Sequence, residues 1–172
     1  MFALSCGHSD LQWASAERSP QPSANKSSTT DDSFQNTIDV NVLCSRLSEL
    51  QRIPFEKGAK ADDPVYDGLM SYGQDAIPCL IKEISNTAPA IDPRESPHVR
   101  DYVIGDSAVF LLSRITGEPI VEMLPKNIAD QWADRGIYAY FDFVSRLENR
   151  KTIQKWWEKW FEDYQHRKTF RD

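Results

Sequence analysis

An aspartate set into an apolar helix is the residue that first asks for a chemical explanation. Asp106 follows Gly105 in "YVIGDSAVFLLSRITG", residues 102–117. A buried carboxylate must be paired or hydrogen-bonded. Glycine beside it permits close approach of another backbone. Two roles follow for Asp106. It is a ligand-facing acid at a concave surface, or it ties down the preceding loop through Arg100 or a backbone N–H. An enzyme would need a second acid or base, and the loop over residues 85–98 is where one would come from.

Other chemistry is thin. His8, His98 and His166 are scattered, which does not make a metal triad. "GAKADDP" lacks the spacing of a phosphate-binding loop, and no Gly-x-Ser-x-Gly elbow occurs. No cofactor is therefore expected. Asp62, Asp63 and Asp67 form an acidic cluster without the further oxygen ligands that calcium requires. They read as a solvated loop and a helix start.

The C-terminal segment is rich in tryptophan. At 100° per residue, Ile153, Trp156, Trp157, Trp160, Phe161 and Tyr164 share one side of a helix. Lys151, Lys155, Glu158, Lys159 and Glu162 fall outside that arc. The stripe packs on a core or forms an aromatic patch for a partner. Trp156, Trp157 and Trp160 join Asp106 and Arg100 as binding candidates. Base stacking is disfavoured, because the lysines project from the other side and the net charge is −6. Residues 149–172 hold seven basic and four acidic side chains, against thirteen and twenty-two elsewhere.

Three cysteines, Cys6, Cys44 and Cys79, make neither a disulfide framework nor a zinc knuckle. Cys44 and Cys79 lie on apolar helical faces and read as buried, inert thiols.

Residues 14–33 are rich in Ser, Thr, Pro, Asn and Asp. Such a composition cannot repay the entropy of ordering. Residues 1–35 are therefore expected to be a disordered tether, and residues 36–172 one helical domain. "FALSC", residues 2–6, resembles the end of a bacterial lipoprotein signal with a truncated apolar region. That resemblance implies lipidation at Cys6, a lipid anchor as the means of membrane attachment, and residence in the cell envelope. Otherwise the chain is cytoplasmic.

Proline and glycine punctuate the helices. Residues 36–52 have helical spacing. Pro64 suits the first turn of a second helix and Gly73 the position past its end. Pro78, inside "YGQDAIPCLIKEI", marks a helix start, because N–H groups of a first turn have no intrahelical partner to lose. Asp75 is the expected cap. Ile77, Leu80, Ile81 and Ile84 form the apolar face. A central helix is expected from about Val99 to Thr116, stopped by Gly117 and Pro119. Asn127 is read as a further cap and Gly136 as a loosening point. Ser145 with Glu148 is read as a capping box that opens the last helix, to about Arg167. No segment alternates like a strand, so the class is all-α.

"YGQDAIPCLIKEI" and "GDSAVFLLSRITG" resemble second helices of HEAT-type repeats, over residues 64–117 when partner helices are counted. The resemblance implies stacked helical hairpins presenting a surface to a partner, and no catalysis. The expected function is a non-catalytic interaction module with a protein partner and no nucleic acid. The alternatives are an immunity-type protein that neutralises a toxin and an enzyme using Asp106.

Overall fold

The computed structural model describes residues 39–95 and 99–170. Asn36–Asp172 forms one compact unit. The helices are α1 (Val40–Ser45), α2 (Pro64–Tyr72), α3 (Ile77–Glu83), α4 (Ile104–Thr116), α5 (Lys126–Ala129), α6 (Trp132–Arg135), α7 (Ile137–Val144) and α8 (Leu147–Thr169). Among the described residues no strand forms, only two isolated bridges, Ile53 with Arg94 and Pro89 with Val103. The class is all-α. The expected tether and Cys6 lie outside the described residues.

The punctuation works as its chemistry dictates. Pro64 opens α2, and Asp63 caps it by accepting from the N–H groups of Val65 and Tyr66. Gly73, at φ 54°, ends that helix, and Gly117, at φ 82°, ends α4. Both are backbone states that a Cβ disfavours. Pro78 falls in the first turn of α3.

The expected caps fare differently. Asp75 sits inside a 3₁₀ turn, Gly73–Ala76, and α3 has no side-chain cap. The turn itself supplies an acceptor, since Ile77 N–H donates to the Gln74 carbonyl. Asn127 lies within α5, which starts after Pro125. The hydroxyl of Ser145 donates back to Asp142 O at 2.7 Å and so does not cap α8.

Two helices are shorter than their periodicity predicts. The first is the six-residue α1, followed by a 3₁₀ turn over Leu47–Glu49. The central helix starts at Ile104 instead of Val99. Ala90 N–H donates to Tyr102 O and Ile104 N–H to Ala88 O, each at 3.0 Å, which holds the chain extended up to the helix. Backbone groups committed to that pairing are not free to begin a helical turn.

α3 packs chiefly on α4, α1 covers both α2 and α3, and α8 lies against α3 and α7. The expected α3 face is buried throughout, and α4 is the central element, burying Gly105 to Val109, Leu111 and Leu112. Cys44 and Cys79 are joined in a disulfide between α1 and α3, with Cα atoms 6.1 Å apart. This corrects the expectation of two free thiols. Their apolar faces meet, and that meeting brings the two sulfurs within bonding reach.

Candidate functional site

Asp106 is completely buried, so it faces no ligand. Its position on α4 is fixed by Gly105, where any Cβ would lie 2.2 Å from the Ile84 carbonyl oxygen. Four donors satisfy its carboxylate. Oδ1 accepts from Arg150 Nη1 at 2.8 Å and from the Tyr140 hydroxyl at 2.9 Å. Oδ2 accepts from Val103 N–H at 3.0 Å and from Arg150 Nη2 at 3.3 Å. The Val103 bond is the expected tie to the preceding loop. The cationic partner is Arg150, itself 5% exposed, and not Arg100, which is exposed. A carboxylate so enclosed joins α4, α7 and α8 and leaves no lone pair for a reacting atom. Burial, and then the Asp106 charge, push the Tyr140 phenol well above its ordinary pKa and keep it a neutral donor.

A second buried pair lies across an aromatic layer. Arg94 Nη2 donates to Asp92 Oδ2 at 2.6 Å, and Arg94 Nε to Asp92 Oδ1 at 2.9 Å. The Arg94 guanidinium lies 4.6 Å from the Phe141 ring centre, 4.9 Å from Phe110 and 5.7 Å from Tyr102. Phe110 meets Tyr140 edge-on at 5.9 Å, so the aromatic layer runs from Arg94 to the Asp106 network. Burial raises the Asp92 pKa, but the hydrogen bonds from Arg94 and from Val99 N–H outweigh it, and the net shift is downward.

Sequence reasoning missed both arginines. Arg150 did carry a signal, because with Ile153 and Trp157 it falls at helical spacing on the buried side of α8. "IDPRESP", residues 91–97, carries none.

The tryptophan stripe divides. Trp157 is wholly buried and cannot touch a partner. Its indole N–H has no hydrogen-bond partner among the described residues. Trp156 and Trp160 flank it edge-on, with ring centres 5.0 and 5.5 Å away. Trp156, Trp160, Phe161 and Tyr164 are half-buried. Trp160 Nε1 donates to Glu118 Oε1 at 3.0 Å, and Tyr164 stacks on its ring at 5.3 Å and 6°. Beyond Trp157 no residue of α8 is buried. The last turn carries His166, Arg167 and Lys168.

No family model, no curated protein and no solved structure matches the chain. Among the described residues no group of His, Cys, Asp and Glu side chains could hold a metal ion, and no helix is long and apolar enough to cross a membrane.

Proposed function

We propose that this protein is a non-catalytic interaction module that presents the outer half of α8 to a protein partner. The observation that carries this reading is the ring ladder Trp160–Tyr164, with Phe161 beside it, which continues along α8 after its last buried residue. Twelve residues follow Trp157 in α8, about 18 Å of helix. Trp160 and Phe161 pack partly against the core, whereas Tyr164 extends the aromatic strip beyond it. A half-covered aromatic strip ending in basic side chains suits a groove with apolar walls and acidic rims, the helix-in-groove mode of recognition. The stacking of α1 to α4 supports a HEAT-like scaffold beneath it. The Cys44–Cys79 disulfide supports an oxidising compartment, since such bonds persist there and are reduced in cytosol. That agrees with an envelope protein held by a lipid at Cys6.

The test is capture of partners from the native host by the full chain and by a Phe161→Glu/Tyr164→Glu variant. A captured protein is then purified, and its affinity for both chains is measured by calorimetry. The reading requires a partner whose binding is lost in the variant. A partner bound equally by both chains would move the interface elsewhere and sink this assignment.

A further inference from the structure

The loop around Lys57–Lys60, α2 and the end of α4 enclose a half-open cavity of about 460 Å³. That volume lies in the range of small-molecule sites. Three cations line it: Lys57, Lys60 and Arg114. None forms an ion pair with a described residue. In a chain of net charge −6, this concavity gathers three cations that lack ion pairs among the described residues. Among the described residues Asp67 is the one carboxylate on the wall, and it accepts from Ala61 N–H at 3.0 Å.

The cavity also has a built polar floor. Tyr66 lines it and is 2% exposed, yet its hydroxyl donates to no described residue. Buried hydroxyls usually find a partner, and because Tyr66 lines the cavity its hydroxyl is available to a group bound there. Burial, opposed by the Arg114 charge, raises the Tyr66 pKa and keeps it a donor. Arg114 is held in place, with Nη2 donating to Pro54 O at 2.8 Å and Phe55 O at 2.9 Å. Met70 and Ile115 add apolar wall.

We propose that this cavity binds a small organic anion. Its acidic head lies among Lys57, Lys60 and Arg114 and accepts from the Tyr66 hydroxyl, and its apolar body lies on Met70 and Ile115. The site is separate from the α8 surface and does not depend on it.

Anilinonaphthalene sulfonate, an aromatic anion, is a suitable probe. Titrated into the full chain, it should show one saturable site, with amide chemical-shift changes at Gly58, Met70 and Ile115. Lys57→Glu/Lys60→Glu should weaken binding by about tenfold or more, as loss of charge-assisted hydrogen bonds requires. Tyr66→Phe should weaken it by a smaller factor. Uncharged phenylnaphthylamine should bind about tenfold more weakly than the sulfonate. If charge reversal perturbs the fold, Lys57→Gln/Lys60→Gln replaces it. Non-saturable binding, shifts confined to other residues, or equal affinity of the lysine variants would each overturn the proposal.

Discussion

Arg150 reaches Asp106 at 2.8 Å although the two are 44 residues apart in sequence. Both are almost fully withdrawn from water. Removing one partner leaves the other charge buried and uncompensated. Asp106→Ala should therefore cost about 3–5 kcal/mol of stability. Asp106→Leu combined with Arg150→Met should cost much less than the two single changes added together, because no charge is left stranded. Urea unfolding of the parent, the Asp106→Ala, Asp106→Leu and Arg150→Met chains and the double variant measures this. Single variants within about 1 kcal/mol of the parent would mean that water reaches the pair.

Gly105 sets how closely α4 approaches α3. Helix propensity alone predicts that Gly105→Ala stabilises by about 1 kcal/mol. The Cβ would instead lie 2.2 Å from Ile84 O and 3.0 Å from Asn86 O, both backbone atoms that cannot swing aside. Gly105→Ala is expected to destabilise, by about 1–3 kcal/mol. Gly68 provides the comparison. A Cβ there meets only the Leu43 side chain, at 2.9 Å, and Leu43 has a rotatable stem. Gly68→Ala should cost less. Thermal midpoints of both variants decide it, and a stabilised Gly105→Ala would refute the close approach.

The parts of this fold that the sequence announces are those decided within a few residues. Pro64, Pro78, Gly73 and Gly117 act through their own backbone angles, so they mark helix ends wherever the helices later pack. Asp63 was legible too. An acid just before a helix-opening proline is a cap signal, and the cluster reads as a solvated loop and a helix start, but Asp63 is buried rather than solvated and also accepts from the Gln51 and Arg52 N–H groups. Asp75, Asn127 and Ser145 show the limit of such signals, because nearby carbonyls or a different helix start take over their bonds. The site partners could not be read in this way. Arg150, Tyr140 and the Asp92–Arg94 pair depend on which helix faces which, and Cys44 with Cys79 likewise. One sequence without its tertiary neighbours does not specify those pairings.

The Cys44–Cys79 bond closes a 35-residue separation between α1 and α3. Cross-links of this size contribute about 2–4 kcal/mol. Reduction, or a Cys44→Ala/Cys79→Ala chain, should lower the unfolding midpoint accordingly. In the chain unfolded without reductant, neither Cys44 nor Cys79 should react with a thiol reagent, whatever the state of Cys6. Labelling of Cys44 and Cys79 in protein isolated without reductant, located by peptide mapping, would show that the bond does not form in the cell.

Asp92 and the buried tyrosines set opposite pH limits. The folded-state pKa of Asp92 is lowered, so its stabilisation is complete above the unfolded value of about 3.9 and is lost as pH falls through the folded value. Tyr102 and Tyr140 are raised, chiefly by burial. Their contribution is complete below about pH 10 and is lost as pH rises through the folded values, because the unfolded phenols ionise first. Stability should thus hold a plateau between about pH 4 and pH 10 and fall on either side. Asp92→Asn should flatten the acid limb and Tyr140→Phe the alkaline limb. Tyr140→Phe also lowers the plateau by about 1–3 kcal/mol, because Asp106 loses a buried donor. Denaturant unfolding across pH 2–12 separates the effects, since a lost hydrogen bond shifts the whole curve and a lost titration changes only its slope. An alkaline limb equally steep in Tyr140→Phe would assign that loss to Tyr102 and Tyr66, whose phenols are also raised by burial.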